Sequence, residues 1–86
     1  MEISVELTLT PLKDDFKTII KDFIISLRNS NLKIIETPLS TQVYGDYKQV
    51  MSCLENNIYN SFLKSDNIIL NLKIIKSNRS DYVPDF

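Results

Sequence analysis

The sequence predicts an α+β fold in which a four-stranded antiparallel sheet carries two helices on one face. Two segments place apolar residues three or four positions apart, as an amphipathic helix does, and four segments read as strands. The order is strand, helix, strand, strand, helix, strand, which is the split βαβ arrangement of a ferredoxin-like βαββαβ sandwich. We expect the first and third strands to be central and parallel, joined through right-handed crossovers.

The first strand is predicted over residues 2–10, where apolar and polar side chains alternate and one face is therefore buried. Its apolar members are Ile3, Val5, Leu7 and Leu9, and Pro11 ends it. A helix follows, with an apolar stripe formed by Phe16, Ile19, Ile20, Phe23, Ile24 and Leu27. Asp14 or Asp15 favours the start of this helix, and residues 29–31 favour its end.

The second half of the chain begins with an isoleucine-rich strand over residues 32–37. Pro38 separates it from a strand over residues 40–44, so the two strands should pair through a tight hairpin. Gly45 permits a turn there, and Asp46 is a good N-cap for the next helix. The apolar stripe of that helix is Tyr47, Val50, Met51, Leu54, Ile58 and Phe62, and the last strand covers residues 68–75.

Length and composition restrict the classes of function. The 86 residues suit one domain, which we place at residues 1–76, and residues 77–86 form a tail that is either frayed or docked on a partner. A net charge of −1 argues against nucleic acid as a partner. The chain has no histidine and one cysteine, so histidine triads, the usual zinc sites and internal disulfides are excluded, and we expect no cofactor or metal. Without a signal sequence or a membrane span, a cytoplasmic protein is expected.

The sheet face without helices should combine polar and apolar groups. Its expected members are Glu2, Ser4, Glu6, Thr8, Thr10, Gln42 and Tyr44. The last strand adds either its odd-numbered or its even-numbered residues, and both sets contain isoleucine. Exposed apolar surface of this kind predicts self-association, as a homodimer or homotetramer through the sheet faces.

The best candidate site lies between Pro38 and Asp46. Ser40, Thr41 and Gln42 offer hydroxyl and amide groups, and Tyr44 offers a ring for stacking, which suits a flat, nitrogen-rich ligand. In the alternative interpretation these residues only finish the hairpin and face solvent.

Other chemically interesting residues have ordinary explanations. Glu6 with Asp46 or Glu2 is a candidate carboxylate pair, although carboxylates on a strand face are usually solvated. Cys53 reads as a small filler of the second helix rather than a nucleophile. The segment Asn78-Arg79-Ser80-Asp81 binds an anionic group or simply terminates the last strand.

Two segments resemble the thiamine-binding family related to YkoF. They are Ser4-Val5-Glu6-Leu7-Thr8-Leu9-Thr10-Pro11-Leu12 and Pro38-Leu39-Ser40-Thr41-Gln42-Val43-Tyr44-Gly45-Asp46, and the second match is the more specific. The resemblance implies a ferredoxin-like fold that assembles through its sheets, and non-catalytic binding of thiamine or its hydroxymethylpyrimidine half. The ligand-binding residues implied for this chain are Ser40, Thr41, Gln42, Tyr44, Glu6, Thr8 and Asp46.

The chain departs from this family in the hairpin strand. Many relatives carry methionine, and often Glu-Gly-Asp, where this chain has Leu39 and Tyr44-Gly45-Asp46, so one acidic partner for a cationic ligand is missing. Either Glu6 replaces it or the ligand preference of this chain is different. Three alternatives remain open: an interaction or regulatory module without a small ligand, a subunit of a larger assembly, and an enzyme using Glu6 and Asp46.

Overall fold

A computed structural model describes all 86 residues of the chain. Its elements are β1 (Glu2–Pro11), α1 (Phe16–Arg28), β2 (Lys33–Glu36), β3 (Thr41–Asp46), α2 (Tyr47–Phe62) and β4 (Ile68–Ile75). The four strands form one sheet in the order β2-β3-β1-β4, and every neighbouring pair is antiparallel. The predicted ferredoxin-like βαββαβ fold is confirmed. Neither helix combines the length and the apolar character that crossing a membrane would require.

The relative direction of the two central strands differs from the prediction. β1 and β3 are central, as expected, but they run antiparallel, with Val5 opposite Val43. The reason lies in the connections. The crossover through α1 leaves β2 parallel to β1, and the hairpin then reverses the chain, so β3 must run against β1.

The core lies between the sheet and the two helices. Its sheet members are Ile3, Val5, Leu7 and Val43, and its helix members are Phe23 and Leu27 from α1 with Val50 and Leu54 from α2. All eight side chains are almost fully buried. Because directly opposed residues share a face, the register of β4 against β1 places the even-numbered residues of β4 on this side. Ile69, Asn71, Lys73 and Ile75 therefore lie on the open face.

The junction between β3 and α2 is tighter than expected, since the strand continues through Gly45 and the helix starts at Tyr47 without an intervening turn. Gly45 lies opposite Ile3 on the helix side, where a Cβ atom would be 3.0 Å from Leu32 Cδ2 and 3.4 Å from Val50 Cγ2. Gly45 also has φ 156°, a backbone conformation that residues with a Cβ atom rarely adopt, so both the backbone and the close packing favour glycine.

The predicted N-cap of α2 is confirmed. The Asp46 carboxylate accepts hydrogen bonds from the backbone N–H groups of Lys48 and Gln49, at 3.1 and 3.4 Å. At α1, by contrast, Asp15 accepts the hydroxyl of Thr18 at 3.0 Å and caps no backbone group. Asn31 follows α1 with φ 66°, a left-handed conformation that asparagine tolerates better than most residues.

Candidate ligand-binding site

A cavity of about 670 Å³ lies on the open face of the sheet. Its floor consists of side chains from the two central strands, Ser4 and Glu6 from β1 with Gln42 and Tyr44 from β3. The walls and the cover are completed by Ile35, Lys73, Ile75, Arg79, Ser80 and Tyr82. A volume of this size is in the range of pockets that hold small organic ligands.

The floor is held together by the register of β1 against β3. Glu6 lies opposite Gln42, and Ser4 lies opposite Tyr44. The Tyr44 hydroxyl donates to Gln42 Oε1 at 2.6 Å, which fixes the amide with its nitrogen free to donate elsewhere. Tyr44 is only 8% exposed, so its ring packs into the floor and offers little free surface for stacking on a ligand.

Glu6 provides the only carboxylate of the cavity lining. Its Oε2 accepts the hydroxyl of Ser40 at 2.9 Å, and its Oε1 lies 3.8 Å from the Lys73 ammonium across the β1–β4 pair. Each carboxylate oxygen has more than one lone pair. Glu6 can therefore still accept a hydrogen bond from a ligand amine.

The cover of the cavity is the segment 77–82, which we call the C-terminal strap. The Ser4 hydroxyl donates to the Ser77 carbonyl at 2.7 Å and accepts the Arg79 backbone N–H at 2.8 Å. A third contact joins Asn78 Nδ2 to Glu2 Oε1 at 3.0 Å. The beginning of the predicted tail is therefore docked on the chain's own sheet.

The structure brings together part of the predicted site. Glu6, Gln42 and Tyr44 share the cavity floor, and Ser40 reaches the same place through its hydrogen bond to Glu6. Thr8 lies farther along the same face and lines a neighbouring depression of about 190 Å³ with Glu6 and residues of β4.

Thr41 is not brought to this cavity. It lies opposite Leu7, whose side chain belongs to the core, and is 8% exposed. Side chains of adjacent strand residues point to opposite faces, so Thr41 faces the helix side while Gln42 faces the cavity. The sequence-based prediction treated Ser40, Thr41 and Gln42 as one group, although a strand cannot direct three consecutive side chains to one side.

Asp46 lies at the end of the sheet, where its carboxylate serves as the N-cap of α2. Burial by itself would raise the pKa of this carboxyl, but the N–H of Gln49, the N-terminal ammonium 3.5 Å away and the N–H of Lys48 together lower the pKa below its ordinary value. Asp46 lies opposite Glu2, four residues along β1 from Glu6, a separation of about 13 Å at the usual rise of a strand. Glu6 and Asp46 therefore do not form a carboxylate pair.

The residues that close the cavity were not in the candidate site predicted from the sequence. Ser4 and Lys73 can be found by combining the period-two pattern with the register between strands. Arg79 was noted only as part of a segment that binds an anion or ends a strand, and Tyr82 as part of the tail. Their position depends on the hydrogen bonds of Ser4, for which the sequence contains no signal.

Comparison with known proteins adds evidence on the fold. No protein-family model matches the chain, and no curated protein matches it. A structural-genomics protein from Streptococcus pneumoniae superposes with a TM-score of 0.85 at 24% identity, covering 94% of this chain and 92% of the other. A candidate thiamine biosynthesis/salvage protein from Thermotoga maritima has a TM-score of 0.80 at 18% identity, covering 90% of this chain and 85% of the other.

A domain of unknown function from Bacillus cereus is a further structural neighbour. Its TM-score is 0.75 at 10% identity, with 91% of this chain and 78% of the other covered. Identities this low establish a shared fold and no more. The chain thus has the ferredoxin-like architecture of a group of structures that includes one thiamine-related protein.

Proposed function

We propose that this protein binds thiamine or its hydroxymethylpyrimidine half in the open-face cavity, without transforming it, as a small cytoplasmic protein. The observation that carries the proposal is the floor of the cavity, where the Gln42 amide and the Glu6 carboxylate lie side by side on the two central strands. The resemblance to the YkoF-related family and the thiamine-related structural neighbour support the same ligand class.

The polar groups of the floor match the edge of an aminopyrimidine. Such a ring presents nitrogen acceptors next to an exocyclic amine donor. The free amide N–H groups of Gln42 are donors for a ring nitrogen, and Glu6 is an acceptor for the amine. Ile35 and Ile75 supply apolar walls for the ring faces. A ligand without this donor and acceptor pattern would leave buried polar groups unpaired, which is the basis of the expected specificity.

Binding without turnover is proposed because of the groups available to a bound ligand. The lining contains one carboxylate, Glu6, and the chain contains no histidine. Acid and base catalysis by a carboxylate pair needs a second carboxylate within reach of the same substrate. Asp46, the second acid of the sequence-based hypothesis, caps α2 at the end of the sheet.

The proposal is tested by isothermal titration of the full chain with thiamine and with hydroxymethylpyrimidine. Gln42→Leu removes the amide, and we expect it to weaken binding by about 1–3 kcal/mol, the cost of an unpaired buried group. Thr41→Val is the matched control, since it alters the adjacent residue on the opposite face and should leave affinity unchanged. Absence of heat with both ligands, on folded protein, would refute the proposal.

A second candidate function is that of a self-associating interaction module, and the observation that favours it is the exposed edge strand β4. Four of its side chains, Ile69, Leu72, Ile74 and Ile75, are between 41% and 48% exposed. One edge of β4 has no neighbouring strand in the sheet. Unpaired apolar edges of this kind are templates for pairing with another chain.

A second copy of the chain fits this edge in one antiparallel register. With Leu72 opposite its counterpart, Asn71 would oppose Lys73 and Leu70 would oppose Ile74, so polar groups meet polar groups and no like charges oppose each other. This two-fold arrangement is an edge contact, whereas the resemblance led us to expect contact through the sheet faces.

Sedimentation velocity at micromolar concentration tests this self-association. Leu72→Lys should give a monomer, because two lysines would oppose each other at the two-fold axis. Ile25→Lys, a change of the same type at an exposed site on α1, should not alter the sedimentation coefficient. A monomeric parent protein would rule out self-association at β4.

A further inference from the structure

The charges that line the open-face cavity do not balance. Lys73 and Arg79 contribute two cations, and Glu6 contributes one carboxylate. Lys73 lies 3.8 Å from Glu6, which makes that pair the only ion pair of the cavity. None of the four ion pairs of the chain includes Arg79. The cavity therefore presents one guanidinium without an anionic partner.

Arg79 is held in place through its backbone. Its N–H donates to the hydroxyl of Ser4, a side chain that is 6% exposed on a central strand, and its carbonyl accepts the N–H of Tyr82 at 3.1 Å. Within the side chain, Nε donates to Ser77 Oγ at 2.9 Å, a neutral oxygen. The two terminal amino groups of the guanidinium have no acceptor in the chain and are free to donate together.

The acidic residues near the strap do not neutralise Arg79. Glu2 accepts a hydrogen bond from Asn78. Glu6 accepts one from Ser40 and forms an ion pair with Lys73. Asp81 follows Arg79 closely in sequence, but it is exposed and is not part of the cavity lining. An anion entering the cavity would therefore meet a positive charge that no carboxylate of the chain pairs with.

We propose that the ligand of this cavity carries an oxyanion, bound by the guanidinium of Arg79 with the ammonium of Lys73, and that the physiological ligand is a phosphate monoester of the aminopyrimidine. The inference rests on the proposed function, since it extends the ligand of the same cavity. A guanidinium binds phosphate or carboxylate oxygens through two parallel charge-assisted hydrogen bonds. With the pyrimidine ring bound to Gln42 and Glu6 on the floor, the C-terminal strap holds the Arg79 guanidinium in the cover of the same cavity. One ligand can therefore contact the floor and the guanidinium together.

Isothermal titration compares hydroxymethylpyrimidine with its phosphate monoester on the full chain. We expect the phosphate form to bind at least about tenfold more tightly, the usual gain from hydrogen bonds to a charged group. This gain in affinity should decrease as the salt concentration is raised, because the contact between the phosphate and the Arg79 guanidinium is partly exposed to solvent. Equal affinities for the two compounds would overturn this inference and leave the proposed function standing.

Variants of Arg79 test whether this residue causes the preference for the phosphate form. Arg79→Gln should bring the two affinities to within about threefold of each other, and Arg79→Lys should retain part of the difference. Lys76→Gln is the control: it removes a cation that is close to Arg79 in sequence but does not line the cavity, and it should preserve the full preference for the phosphate form. A preference that survives Arg79→Gln would refute the assignment to Arg79.

Further titrations distinguish a phosphate ligand from a carboxylate ligand. They also distinguish failure of this inference from failure of the proposed function. A carboxylate analogue of the pyrimidine that binds as tightly as the phosphate would overturn the assignment to a phosphate monoester. Binding of the phosphate form alone would support the inference. Failure of both pyrimidines and of thiamine to bind would overturn the proposed function, and this inference with it.

Discussion

The hydroxyl of Ser4 is predicted to control whether the C-terminal strap stays docked over the cavity. Ser4→Ala removes one hydrogen bond to the Ser77 carbonyl and one from the Arg79 N–H, at 2.7 and 2.8 Å. Each such bond contributes about 0.5–1.5 kcal/mol net, so undocking of the strap should become easier by about 1–3 kcal/mol. This corresponds to a rise of about 5- to 150-fold in the equilibrium constant for opening.

Amide hydrogen exchange measures this opening directly, because the Arg79 N–H is itself one of the two bonded groups. Exchange at Arg79 should accelerate by the stated factor, while exchange in the core strands stays at the rate set by global unfolding. Thr8→Ala, on the same face of β1 but outside the strap contact, is the control and should leave Arg79 exchange unchanged. A change of less than about twofold at Arg79 in Ser4→Ala would show that these two bonds do not hold the strap.

Two further predictions concern stability. Gly45→Ala should lower the free energy of unfolding in urea by about 1–3 kcal/mol, because alanine disfavours φ 156° and its Cβ would crowd Leu32 and Val50. Combining it with Leu32→Ala should cost less than the sum of the two single changes, and strict additivity would contradict the steric explanation. Asp46 has a lowered pKa in the folded state, so its charge stabilises the protein above the unfolded pKa, and this contribution is lost as pH falls through the folded pKa. The stability advantage of the parent over Asp46→Asn should therefore be present at neutral pH and decrease as the solution is acidified below the ordinary pKa range of aspartate. An advantage that does not change on acidification would exclude the carboxylate charge as its source.

Local sequence patterns were sufficient for most of the fold. The alternation of β1 and the apolar stripes of α1 and α2 predicted these elements close to their observed ends, and β4 was predicted over the residues it occupies. These patterns report local geometry, because a strand repeats every two residues and a helix every 3.6. The prediction failed for the direction of β1 relative to β3, which depends on how the connections return the chain and not on any one segment.

The candidate site was less accessible to sequence reasoning. Gln42, Tyr44 and Glu6 were identified, and the register brings them onto one floor. Thr41 was included because it is adjacent in sequence, although the strand geometry turns it to the helix side. The two-residue period of a strand, applied strictly, is sufficient to separate Thr41 from Gln42.

Residue identity and short-range spacing are enough to predict the order of the elements and the N-cap at Asp46, and to exclude histidine chemistry. Which side chains meet across the sheet depends instead on contacts that form when the whole chain folds. Strand register aligned Glu6 with Gln42, and the long-range hydrogen bonds of Ser4 placed Arg79 over the cavity. Contacts between residues more than seventy positions apart have no local periodicity, which is why the cover of the site emerges only from the folded chain.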